Sequence, residues 1–112
     1  MKEIKAFIKA IKVDQVVHEL ENAGVCDMTV SDVMAVGSII DTEHAKFSGK
    51  LMEKFSSFAK LELVCTDDNV HKTVEILRLA AYTGYAGDGI IYVTPVEMAV
   101  KVRTGAVGEE GL

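Results

Sequence analysis

Two successive strand–helix–strand patterns within 112 residues predict an α+β fold built on a four-stranded antiparallel sheet. Two observations carry this. Residues 2–11 and 60–65 alternate apolar with charged side chains, the period of a strand with one buried face. The segments that follow Asp14 and Thr66 instead carry apolar residues at helical spacing.

Taken in order, the first strand places Ile4, Ala6, Ile8 and Ala10 on one face, against Glu3, Lys5 and Lys9. Asp14 reads as the N-cap of the first helix, whose stripe is Val16, Val17, Leu20 and Ala23, with Gly24 as its stop. A second strand is expected over 26–36, with Met28 and Val30 sharing a face. A third covers 60–65, and Thr66 or Asp67 then caps a helix with core stripe Val70, Val74, Leu77 and Ala80 or Ala81. The fourth strand falls near 90–94, and after Pro95 the chain is expected to extend again over 97–103. The order is βαββαβ, and packing both helices on one face of the antiparallel sheet gives the ferredoxin-like arrangement. The segment 37–57, between strands two and three, is far longer than a hairpin needs and reads as a functional loop. Leu51, Met52 and Phe55 hint at a helical turn or a partner-binding tip there.

Composition narrows the function classes. With 49% hydrophobic and 26% charged residues, the chain 1–112 reads as one globular domain able to bury a core. A net charge of −5 and a pI near 5.1 argue against a general nucleic-acid binder, which needs a basic face. No run approaches the ~20 apolar residues of a membrane span. Lys2, Glu3 and Lys5 break any signal-peptide pattern, so a cytoplasmic protein is expected. Cys26 and Cys65 lack metal-type spacing and read as reduced, partly buried thiols in or beside strands.

The chemistry concentrates in Thr83-Gly84-Tyr85-Ala86-Gly87-Asp88-Gly89, just ahead of Ile90-Ile91-Tyr92-Val93. A glycine-rich turn there leaves backbone N–H groups to surround an anion. Lys101 and Arg103 alternate in an extended segment, which would put two cations on one face. Either piece alone also fits an ordinary turn and a solvated strand; together they favour a nucleotide or another polyphosphate. His18 and His71 read as solvent-facing helix residues, whereas His44, beside Asp41 and Glu43, could hold a metal or small anion. Tyr82 and Tyr85 read as core or interface packing, or as ligand-stacking rings. Asp88 with Glu62 could form a carboxylate pair, but no nucleophile-plus-base pattern and no Walker lysine accompany it, so no enzyme and no catalytic residue are expected.

These residues resemble the P-II signal-transduction family over nearly the whole chain apart from the long loop. Met1-Lys2-Glu3-Ile4-Lys5-Ala6-Phe7-Ile8-Lys9 is similar to its first strand, and Gly24-Val25-Cys26-Asp27-Met28-Thr29-Val30 to its Gly-x-x-Gly-Met-Thr-Val segment. Thr83-Gly84-x-x-Gly87-Asp88-Gly89 with Val102-Arg103-Thr104-Gly105 is the most specific part. The resemblance implies a homotrimer with one adenine nucleotide (ATP, ADP or AMP, a regulatory ligand and not a cofactor) in each cleft between subunits. Carried over by position, Gly37 and Gly87, Asp88 and Gly89 would offer amides to phosphates. Lys101 and Arg103, the latter across the subunit boundary, would neutralise charge, while Phe7, Thr29, Glu62 and Val64 would surround adenine and ribose. The nucleotide would hold the base of the 37–57 loop, which presents or hides a surface for a transporter or enzyme.

Several positions depart from the family's pattern. Ser38-Ile39-Ile40 stand where the family has a glutamine that helps bind magnesium and 2-oxoglutarate. Phe58 replaces a lysine that pairs with the 2-oxoglutarate carboxylate, and Ile90 a phosphate-contacting lysine. No tyrosine occurs in 37–57, and position 51, the usual uridylylation site, is Leu51. The resemblance therefore implies a nucleotide cleft kept in outline, with the 2-oxoglutarate site and the covalent switch lost. Two other readings stay open: a small enzyme or a ferredoxin-like domain that responds to a metal or a small anion such as bicarbonate, using the acidic, His-containing loop, and a structural trimer whose cleft binds nothing.

Overall fold

The alternation of the first ten residues becomes position in the sheet. The computed structural model describes residues 1–37 and 56–112. Strand β1 (Lys2–Lys9) is followed by a 3-10 turn (Ala10–Lys12) and helix α1 (Val13–Asn22). Then come β2 (Thr29–Ala35), β3 (Ser56–Cys65), a 3-10 turn (Asp67–Asn69), helix α2 (Val70–Ala81) and β4 (Gly89–Pro95). Among the described residues the strand pairings are antiparallel, in the order β2-β3-β1-β4, so the expected βαββαβ ferredoxin-like sheet is present. Ile4, Ala6 and Ile8 are buried with Ala59, Leu61 and Leu63 of β3 against Val16 and Leu20 of α1 and Leu77, Ala80 and Ala81 of α2. That single layer between sheet and helices is the main core.

Several boundaries differ from the sequence reading, each for a local reason. β1 stops at Lys9, because residues 10–12 already turn into the helix; Asp14 therefore lies inside the first turn of α1, where it favours the helix dipole without capping it. Gly24, at φ 93°, ends that helix as expected, and the Val25 amide reaches back to the Leu20 carbonyl at 3.0 Å. β2 starts at Thr29, not 26, so Cys26 lies outside the ladder and is exposed. Neither expected cap of α2 acts as one: the Thr66 hydroxyl accepts from Asn69 Nδ2 at 3.1 Å, and Asp67 bonds the Met1 ammonium at 3.0 Å and Lys2 Nζ at 3.1 Å. In α2, Val70 and Val74 are only partly buried, and Thr73 takes a core position. Residues 97–103 form no strand. Val100 makes an isolated bridge to Val107, and the Gly105 amide donates to the Lys101 carbonyl at 2.8 Å, closing a turn.

The sheet face away from the helices mixes charged and apolar residues. Register sets Lys5 opposite Glu62, and pairs Lys60 with Phe7 and Phe58 with Lys9. Ion pairs Lys60–Glu62 at 3.2 Å and Lys5–Glu3 at 3.9 Å occupy the middle of that face. At one end Phe58, 1% exposed, packs with Ala35, Phe7 and Val33. Phe7 meets Tyr92 edge-on, with centroids 6.1 Å apart.

Candidate functional site

Two groups of residues carry the candidate chemistry, and β1 separates them. The first surrounds a cleft of about 950 Å³ where the chain segments leading into β2 and out of β3 part company. Antiparallel register places Thr29 directly opposite Glu62. Thr29, Glu62, Val64 and Lys101 all line the cleft, with Glu3, Asp27, Met28, Cys65, Asn69 and the C-terminal Leu112. Sequence reasoning missed that second set. Glu3 is the partner of Val64 in the β1–β3 ladder, so pairing the strands on paper would have found it.

The second group is the glycine turn. The Asp88 carboxylate accepts from the Thr83 hydroxyl, from the Thr83 amide at 2.8 Å and from the Gly84 amide at 3.2 Å, and it pairs with Lys9 Nζ at 3.3 Å. Partial burial works against the charged form. The hydrogen bonds from Thr83, Lys9 and Gly84 outweigh it and hold the carboxyl below its ordinary value. Asp88 thus uses its carboxylate to lock the turn, and the amides of residues 83 and 84 are spent on it. Tyr85 donates its amide to the Thr83 hydroxyl at 3.1 Å, and its ring lies 6.0 Å from Lys9 Nζ. Tyr82 and Tyr85 are exposed, which excludes a core role within one chain.

At the end of the turn, Gly89 (φ 114°) lies so close to β1 that an added Cβ would fall 1.8 Å from the Phe7 carbonyl oxygen. The close approach ties the turn to Phe7. Gly37 ends the described part of β2's exit, and Arg103 lies exposed in the 102–104 turn. Lys101 and Arg103 therefore do not share one face of a strand. Asp88 and Glu62 do not form a carboxylate pair: Asp88 is held by Thr83, Gly84 and Lys9 just ahead of β4, whereas Glu62 lies on β3 beside Lys60. His18 and His71 are exposed on their helices, as expected. His44, Asp41 and Glu43 lie outside the described residues. Among the described residues no group of three or more His, Cys, Asp or Glu could hold a metal ion. No helix among them is long and apolar enough to cross a membrane. Both cysteines are free, and burial pushes the Cys65 thiol upward.

An antiparallel βαββαβ sheet with its helices packed on one face defines a small ferredoxin-like domain. The family model described as nitrogen regulatory protein P-II matches residues 1–106. The P-II protein of Azospirillum brasilense is 35% identical over 112 residues, spanning 100% of both chains, and that of Cereibacter sphaeroides is 36% identical over the same span. The crystal structure of Arabidopsis thaliana PII bound to citrate aligns with a TM-score of 0.83 at 31% identity, covering 99% of this chain and 91% of that one. The chain belongs to the P-II family of regulatory signal-transduction proteins.

Proposed function

We propose that this P-II protein binds an adenine nucleotide in clefts between the subunits of a homotrimer and thereby controls a transporter or an enzyme through residues 37–57. The observation that supports this best is the cleft itself, because Thr29, Glu62, Val64 and Lys101 come together in one chain from distant positions. The glycine turn and Arg103 are not among the residues that line that cleft, and in this reading a neighbouring copy brings them to it. Adenine and ribose then sit against Thr29, Glu62 and Val64, with Phe7 and Gly37 at the boundary. The phosphates meet Gly87, Gly89, Lys101 and Arg103, while Asp88 keeps the turn in shape. The protein acts as a switch and not as an enzyme: the ligand binds one arrangement of the loop base better than another and shifts the population toward it.

The reading without 2-oxoglutarate draws support from packing. Phe58 is buried with Phe7, Val33 and Ala35, so an apolar cluster fills the position of the family's carboxylate-binding lysine. Ile90, paired with Phe7, brings no charge to the phosphates. ADP and AMP should therefore compete well with ATP. Calorimetric titration with ATP, ADP and AMP, with and without 2-oxoglutarate, tests the proposal. Micromolar binding of an adenine nucleotide that 2-oxoglutarate leaves unchanged is expected, and absence of binding by all three nucleotides refutes it. Charge-assisted contacts contribute roughly 1.5–3 kcal/mol each, so Arg103→Ala should weaken binding about tenfold or more, while Ile90→Lys should favour ATP.

A further inference from the structure

Asp27 occupies the place of the second glycine in the Gly-x-x-Gly-Met-Thr-Val pattern, and it lines the cleft two residues before Thr29. Two other carboxylates of the same cleft have cations of their own: Glu3 lies 3.9 Å from Lys5, and Glu62 lies 3.2 Å from Lys60. Asp27 is exposed and has no ion-pair or hydrogen-bond partner among the described residues. A carboxylate can only accept hydrogen bonds, and it repels phosphate. Apolar Val25, Met28 and Val64 suit the flat face of a base, and Lys101 suits a phosphate. The hydrogen-bond donors that an adenine nucleotide offers Asp27 are its ribose hydroxyls and the 6-amino group of its base.

We propose that Asp27 is a specificity-determining residue that accepts hydrogen bonds from the ribose diol and makes this cleft selective for ribonucleotides over deoxyribonucleotides. The inference rests on the nucleotide reading above. Bonds from a hydroxyl to an ionised carboxylate are short and about twice as strong as neutral ones. A polar group that loses its partner in an occupied cleft is left desolvated, so the analogue lacking the hydroxyl is penalised. Glycine at this position has no side chain with which to do this.

The test is calorimetric titration of the full chain and its Asp27→Gly and Asp27→Asn variants with ADP and with deoxyadenosine diphosphate. Circular dichroism and sedimentation would verify that each variant keeps its fold and assembly. The wild type should prefer ADP by about tenfold or more, and Asp27→Gly should reduce that preference to about twofold or less. Asp27→Asn, which keeps an acceptor without the charge, should fall between. Equal affinities in the wild type, or an undiminished preference in Asp27→Gly, would overturn the assignment while leaving the nucleotide reading intact. A changed preference for adenine over hypoxanthine, with none for the sugar, would place the carboxylate on the base and also overturn it. If no protein binds ADP, the nucleotide reading falls and this inference falls with it.

Discussion

At the scale of single residues, the turn before β4 depends on one carboxylate and one missing side chain. Asp88 collects the Thr83 hydroxyl, the amides of Thr83 and Gly84, and the Lys9 ammonium. Replacing it with alanine leaves those donors without their acceptor, and should cost about 1–3 kcal/mol in chemical denaturation. The pH dependence follows from the lowered pKa of Asp88. A carboxyl whose folded value is depressed stabilises the fold above its unfolded value of about 3.9, and that contribution disappears as pH falls through the folded value. The stability gap between wild type and Asp88→Asn should therefore be full at neutral pH and close under acid; a gap that stays constant down to pH ~2 would contradict the lock. Gly89→Ala should be more damaging, by about 3 kcal/mol or more, since its Cβ would meet backbone and not a side chain that can move. Near-normal stability of that variant would show that β4 can shift away from β1.

At the scale of elements, α1 and α2 contribute Leu20 and Leu77, both fully buried against β1 and β3. Leu77→Ala should destabilise by about 2–5 kcal/mol, and Val70→Ala at the half-exposed start of the same helix by much less. Equal losses, measured by urea unfolding, would mean that the core does not sit where α2 buries Leu77. Elements with strict alternation, such as β1 and the second half of β3, were legible from sequence because one face meets the core. The first half of β3, Ser56–Ala59, was not, because Phe58 is buried on the opposite sheet face and breaks the pattern. The 97–103 stretch misled in the other direction. Met98, Val100 and Val102 alternate as a strand would, yet alternation alone supplies no partner for the ladder, and Val102 is 99% exposed. Caps failed for a different reason: Thr66 and Asp67 found side-chain and terminal partners that no local window contains.

At the scale of the whole molecule, the candidate site is split. The cleft draws on segments near 3, 24–29, 62–66, 101 and 111–112, which only the fold brings together. Family-type positions such as Thr29 and Glu62 could be named from motif resemblance, but Glu3 and Asp27 as their neighbours could not. The glycine turn precedes β4, on the other side of β1 from β3, and in the proposed function a second copy completes the site. The mixed outer sheet face, with its paired charges and the Phe7–Tyr92 contact, is the surface we expect three copies to share. Sedimentation equilibrium at micromolar concentration should give three times the chain mass, and a stable monomer would rule out a site built across subunits. The most direct measurement is amide hydrogen exchange with and without saturating ADP. Protection should rise together around Thr29–Val30, Val64 and Gly87–Gly89, the two halves that one chain keeps apart. Protection confined to one half, or none in either, would contradict a nucleotide held between subunits.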